Sequence, residues 1–258
     1  MYENLLNISE AAKLLGVSPS TLRRLEKDGS VEGYGLKVLY TPGGQRRYML
    51  DEVQRLYSNQ GFSGQIGFGK KSALLIRDLT IAFTDPQSQL SIEIEEELTA
   101  TKQLIEEALL HNIPIIFSMT IYDSTDEMSR LWSQKFPSLQ ILDRQSTWVN
   151  IHPKLMDYSY DMIDPTVYIT SLYNSPVEEF LKERQIDTLI LAGTTTGGSI
   201  RATAVEAIQK GYRVIIPKEA VGDRNPTIHN LTLLDLNARY ADVMNLDAVL
   251  KNMKPLCE

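Results

Sequence analysis

The sequence predicts an α/β protein: a three-layer parallel sheet covered by helices on both faces, preceded by a small N-terminal helix-turn-helix with a wing. Three observations carry this. From residue 71 onward, short apolar runs alternate with amphipathic stretches of helical period. Residues 8–28 hold two short helical patterns around a glycine. Between these parts, Ser58-Asn-Gln-Gly-Phe-Ser-Gly-Gln-Ile-Gly-Phe-Gly69 places four glycines in twelve positions. The expected domains are therefore residues 1–57, a flexible linker at 58–70, and residues 71–258.

In the N-terminal segment Ser9 is the expected N-cap of a first helix that turns Ala12 and Leu15 to one face. Gly16 supplies the turn, and Ser18 with Pro19 opens a second helix whose Leu22 and Leu25 face inward. That leaves Ser20, Thr21, Arg23, Arg24 and Lys27 outside. Short hydroxyls followed by long cations suit phosphates and major-groove base edges. Beyond them, Pro42-Gly43 fits the centre of a type II turn between two extended arms, the second of which carries Arg46, Arg47 and Tyr48. The net charge of −7 argues against a nucleic-acid partner, yet residues 1–72 hold ten Lys and Arg against seven Asp and Glu. The cationic excess lies where the helix-turn-helix does, so the expected partner is double-stranded DNA.

Downstream, strands are expected at 73–76, 113–118, 139–142, 188–192, 213–216 and 242–244, with helices at 92–110, 127–134, 177–184, 200–210 and 229–237. Parallel sheets bind ligands beyond the carboxyl ends of their strands. Asp78 follows the first strand and residues 194–199 follow the strand at 188–192, which brings both to one crevice. No apolar run approaches the roughly 20 residues of a membrane span, and Met1-Tyr-Glu-Asn lacks the pattern of a signal peptide, so a cytoplasmic protein without a membrane partner is expected. The single cysteine, Cys257, offers no disulfide, and His111, His152 and His229 lack ligand spacing; neither a metal nor a cofactor is expected.

Two resemblances sharpen this reading. The Gly-Val-Ser turn at 16–18, Thr-Leu-Arg-Arg at 21–24 and Gly-Gly-Gln-Arg-Arg-Tyr at 43–48 resemble the winged helix-turn-helix of MerR-type regulators across residues 6–57. The resemblance implies DNA binding. MerR-type regulators continue into a long dimerising helix, and here a glycine-rich stretch follows instead, so a homodimer or homotetramer is expected to form through the C-terminal domain.

The second resemblance covers residues 72–250. Asp78-Leu-Thr-Ile-Ala-Phe-Thr-Asp-Pro86, Ser175-Pro-Val-Glu-Glu-Phe-Leu-Lys182, Gly193-Thr-Thr-Thr-Gly-Gly-Ser199-Ile-Arg-Ala-Thr-Ala204 and Ala220-Val-Gly-Asp-Arg224 resemble the isochorismatase-like cysteine hydrolases, the N-carbamoylsarcosine amidase branch above all. It implies a Rossmann-like three-layer fold and a triad in which an aspartate base, assisted by a lysine, serves a cysteine that attacks an amide carbonyl. Carried over, Asp78 is the aspartate, Ser199 stands at the cysteine position and Thr166 at the lysine position. Lys154, twelve residues earlier, replaces that lysine only if the loop is rearranged. The implied protein is a transcriptional regulator whose domain has lost its chemistry, with a hydrolase of amides or vinyl ethers as the alternative. Asp78, Phe83, Thr166, Thr195, Thr196, Gly198 and Ser199 then form a pocket for a small ligand bearing a carboxylate or an amide. Arg201 is read as a structural partner, and Trp132 and Trp148 as core, lid or interface.

Overall fold

The computed structural model describes residues 5–27, 36–58 and 64–253, and the chain divides into two compact units, Met1–Gly64 and Gln65–Glu258. Asp28, residues 59–63 of the expected linker, Cys257 and the side chains of Leu25 and Lys27 lie outside what is described.

The first unit comprises β1 (Leu5–Leu6), α1 (Ile8–Leu14), α2 (Pro19–Lys27), β2 (Val38–Tyr40), β3 (Arg46–Met49) and α3 (Leu50–Ser58). The cap of α1 is Asn7, two residues before the expected Ser9. Its side chain accepts from Ser9 N and Glu10 N while Glu10 returns a bond to Asn7 N at 2.7 Å, a reciprocal box that Ser9 has no partner to build. Gly16 closes the helix at φ +65°, with Val17 N bonded to Ala12 O and Gly16 N to Lys13 O. Ala11, Ala12, Leu15, Leu22, Tyr48, Val53 and Leu56 form the core. In the wing, β2 and β3 pair antiparallel around β1-β3-β2. The turn between them is not type II, because the positive φ falls on Gly44 (+75°) and not on Gly43. Gly44 N bonds Thr41 O and Thr41 N bonds Gln45 O, the pattern of a turn followed by one left-handed residue.

The second unit runs β4 (Ser72–Arg77), α4 (Ile81–Thr84), α5 (Glu95–Leu110), β5 (Ile115–Thr120), α6 (Glu127–Lys135), β6 (Met162–Thr166), α7 (Pro176–Glu183), β7 (Thr188–Thr194), α8 (Arg201–Gln209), β8 (Arg213–Pro217), β9 (Val221–Gly222), α9 (Pro226–Arg239), β10 (Asp242–Met244) and α10 (Leu246–Met253). The sheet is parallel in the order β10-β8-β7-β4-β5-β6, with β9 added to the end of β7. Leu74 and Ile76 face a core shared with α5, whereas Ala73 and Leu75 face one shared with α7, α8 and α9. Both faces of β4 are apolar because both are covered.

The expected strand at 139–142 is instead a 3-10 turn, Pro137–Leu142, and the fourth strand from β10, β4, is followed outward by β5 and the edge strand β6. β6 contains Pro165, a residue the ladder tolerates at an edge. The second half of the expected linker is docked. Ile66 N and Gly67 N donate to the Asp242 carboxylate, Gly69 N to Thr188 Oγ1 and Lys70 N to Asp187 Oδ2, so residues 66–70 lie along the start of the sheet. Gly69 permits this approach, since a Cβ there would sit 2.2 Å from Asp187 Oδ1. No helix among the described residues is long and apolar enough to cross a membrane.

Candidate functional site

The chain enters the sheet at β4, builds outward through β5 and β6, then returns to place β7 on the other side of β4. The carboxyl ends of β4 and β7 therefore flank the switch point of the sheet. Gly193 makes their junction close. It pairs with Arg77, adopts φ +117°, and a Cβ there would lie 1.9 Å from Arg77 O. Beyond β7 a single π turn, Thr196–Ile200, delivers Ser199, and Gly197 N is held by Asp223 Oδ2 at 2.7 Å.

Asp78 leaves β4 at φ +57°, which turns its carboxylate into the crevice. It is 1% exposed and fully engaged: Oδ1 accepts from Thr120 N at 2.6 Å, and Oδ2 accepts from Thr120 Oγ1 at 3.1 Å and Ser199 Oγ at 2.9 Å. The Ser199 hydroxyl thus points its proton inward. Its lone pairs remain for whatever enters from the other side. The cavity there measures about 100 Å³ and is walled by Phe83, Trp132, Phe136, Leu139, Leu142 and Ile169, with Asp78, Thr120, Thr195, Gly198, Ser199 and Arg224 supplying polar atoms. Such a space suits a small ligand.

Of the residues expected to form a pocket, the structure places Asp78, Phe83, Thr195, Gly198 and Ser199 on this cavity. Thr166 and Thr196 do not line it. Thr196 Oγ1 is turned to His229 Nδ1 at 2.9 Å, and Thr166 Oγ1 accepts from Tyr168 N at 3.2 Å, closing the end of β6. Lys154 is remote from Asp78, since its ammonium pairs with Glu95 at the surface. Arg201 pairs with Asp235 at 2.9 Å. Thr120, Arg224 and Arg77 are among the contributors that escaped the sequence reading. Arg224 donates to Leu90 O at 2.8 Å while lining the cavity, and Arg77 lies buried directly behind Asp78. Burial pushes the Asp164 carboxyl up, against hydrogen bonds from Ser118 and Ser175 and the charge of Arg77. Burial also holds the His229 imidazole below its ordinary value, with Asp223 opposing.

On the N-terminal unit Ser20, Arg23 and Arg24 are exposed and Thr21 is half-buried. Ser18 Oγ accepts from Thr21 N at 3.1 Å and shares hydrogen bonds with the Ser20 and Thr21 hydroxyls. Arg47 donates to Arg46 O and Gln45 Oε1 along the wing. Tyr48 is a correction: it is fully buried and its hydroxyl donates to Glu26, so it belongs to the core and offers no DNA contact. Burial first, and the Glu26 carboxylate second, push its phenol above the ordinary tyrosine range. Arg46 is partly diverted as well, with Nε 3.0 Å from Glu26 Oε2 and the guanidinium over the Tyr40 ring.

Family models match both parts: an isochorismatase domain at residues 72–248 and a MerR family regulatory protein at residues 7–48. The chain belongs to the isochorismatase family and carries a MerR-family domain at its N-terminal end. It is 30% identical over 207 residues to the N-carbamoylsarcosine amidase of an Arthrobacter species, covering 78% of each chain. It is 26% identical over 205 residues to the maleamate amidohydrolase of Pseudomonas putida, covering 76% of this chain and 94% of that one. Among solved structures, a cysteine hydrolase from Pseudomonas syringae pv. phaseolicola superposes with a TM-score of 0.67 at 19% identity, covering 71% of this chain and 92% of its own. The N-carbamoylsarcosine amidase of Thermoplasma acidophilum gives 0.58 at 20% identity, covering 69% and 97%. These two likenesses establish the fold.

Proposed function

We propose that this chain is a DNA-binding transcriptional regulator whose isochorismatase-family domain assembles the molecule and senses a small polar ligand, and no longer cleaves amides. The MerR-family match supports the first half, with Arg23 and Arg24 exposed on the second helix. The observation that carries the second half is the company Asp78 keeps. Its carboxylate is satisfied by Thr120, Ser199 and Arg77, and among the described residues no lysine lines the cavity. A hydroxyl is a far weaker nucleophile than a thiolate near neutral pH, and a fully hydrogen-bonded aspartate is a weak base for it. What remains is a preformed pocket with hydroxyls, Arg224 and a backbone turn that suit a carboxylate or amide.

A hydrolase is the second reading. The Ser199 Oγ to Asp78 Oδ2 distance of 2.9 Å is a nucleophile-to-base distance, and the named relatives act on amides. Assay of the purified protein against carbamoylated amines, nicotinamide-like amides and isochorismate separates the two. The regulator reading expects no turnover above the solvent background; turnover that disappears in Asp78→Asn establishes the hydrolase.

A further inference from the structure

Arg77 is 1% exposed, yet it is among the largest side chains of the interior. It ends β4, where the four residues before it, Ala73 to Ile76, are apolar, and its guanidinium is received by an arranged set of oxygens. One terminal nitrogen donates to Ser118 Oγ at 2.7 Å and Ser171 Oγ at 3.4 Å; the other donates to Thr120 Oγ1 and to Tyr168 O, both at 2.8 Å. Nε lies 3.1 Å from Asp78 Oδ2 without the alignment of a hydrogen bond, so that contact is one of charge.

Two of those receivers pass the interaction on. Thr120 Oγ1, bonded by Arg77, donates to Asp78 Oδ2; Ser118 Oγ, bonded by Arg77, donates to Asp164 Oδ2 at 3.2 Å. One buried guanidinium therefore stands between two buried carboxylates and connects to each through a hydroxyl. The strand register explains the arrangement. Arg77, Ser118 and Asp164 are cross-strand partners in one row, and Thr120 and Thr166 are partners two residues further along, so Arg77 reaches forward from its own row to that of Thr166.

We propose that Arg77 is the positioning cation of this site: it neutralises Asp78 and aims its carboxylate at residue 199, so that the proton of residue 199 is held inward and its heteroatom faces the cavity. The proposal rests on the reading of this cavity as the functional site, but it concerns charge and does not require that any ligand be known. Of the charged groups around residue 199, Asp78 bonds it and Arg224, from the loop after β9, lines the same cavity; Arg77 at the end of β4 lies behind Asp78, and Asp164 of β6 connects to Arg77 through Ser118 of β5; Asp223 and His229 contact the neighbouring residues 197 and 196.

The test converts residue 199 into a reporter. In full-length protein with Cys257→Ser, the substitution Ser199→Cys leaves a single thiol, and its ionisation is read from thiolate ultraviolet absorbance as a difference against the Ser199 parent. Arg77→Gln keeps hydrogen-bonding capacity and removes the charge; the thiol titration is expected to move upward by about one to three pH units, the effect of losing an opposite charge at this range. Arg77→Lys is expected to keep the parent profile, and Arg77→Gln with Thr166→Lys, which returns a cation from the neighbouring row, to restore it. Asp78→Asn is expected to move the titration downward, because the guanidinium is then unopposed. An unmoved titration in Arg77→Gln, or a shift in Arg77→Lys as large as in Arg77→Gln, overturns the proposal. Should Arg77→Gln fail to fold, Arg77→Lys still decides it, since a cation kept at residue 77 preserves the profile, whereas a role resting on the packing of the guanidinium alone predicts that Lys shifts it. Absence of ligand-dependent DNA binding, by contrast, would defeat the sensing role and leave this result standing.

Discussion

Gly193 and Arg77 show how single residues set the geometry of the crevice. With a Cβ at residue 193 placed 1.9 Å from Arg77 O, Gly193→Ala must push β7 away from β4 at the point where Asp78 and the π turn meet. We expect a loss of about 3 kcal/mol or more, read by denaturant unfolding. Thr166→Lys tests the same crowding electrostatically. Thr166 is buried and its row already receives the Arg77 guanidinium through Thr120, so a second cation there meets the first. It should destabilise the protein by roughly 3–5 kcal/mol, as an uncompensated buried charge does, and less when Arg77 is neutralised in the same chain. Ser199→Cys alone is expected to yield little amidase activity, because among the described residues no lysine lines the cavity beside Asp78; adding Thr166→Lys is expected to be more effective where the pocket geometry survives the added charge. His229 gives a pH signature. Its imidazole is held below the unfolded value of 6.5 by burial, so the unfolded chain binds the proton first. Stability is therefore lost as pH falls from about 6.5 toward the depressed folded value, and melting curves of His229→Gln should be flatter across that window.

At the scale of elements, Glu26 fastens the second helix to the wing. Its carboxylate, with a side chain 9% exposed, accepts from both Tyr48 and Arg46, so α2 and β3 are joined through one residue. Glu26→Ala leaves the buried Tyr48 hydroxyl without that acceptor and should cost about 1–3 kcal/mol in thermal unfolding of the N-terminal unit. The two short helices, the Gly16 turn and the wing were legible because caps, glycines and apolar spacing are local signals. So were β4, β7 and β8, and with them Asp78 and Ser199, because uniformly apolar runs ending in a turn are what a covered parallel sheet requires. β6 was not, since Asp164 and Pro165 break its apolar pattern and only its edge position tolerates them. Leu139 and Leu142 read as a strand because apolar character alone does not distinguish a ladder from a buried 3-10 turn. Arg77, one residue past the strand expected at 73–76, carried no signal of its own in the sequence. It becomes a buried cation only through Ser118, Thr120 and Ser171, which lie 41 to 94 residues away in the chain. The glycines at 67 and 69 signalled flexibility, whereas Asp242, Thr188 and Asp187 use the bare backbone as a binding partner.

At the scale of the whole molecule, the proposed function requires a unit that reads DNA and an isochorismatase-family unit that assembles it. A two-fold assembly would present paired helices to a pseudo-palindromic site, so sedimentation of the full chain, and of residues 65–258 with their own sheet and two cores, should give a dimer or tetramer; a monomer of residues 65–258 contradicts the assembly role. Arg23→Ala or Arg24→Ala should cost on the order of 1–3 kcal/mol of specific binding, and Arg47→Ala should mainly reduce the salt dependence. The most direct measurement is selection of genomic fragments by the purified full-length protein, run beside the Arg23→Ala/Arg24→Ala variant. A regulator of this kind should enrich a small set of fragments sharing a pseudo-palindromic element, lost in the variant. No enriched fragment, or enrichment that survives in the variant, would contradict the proposed function.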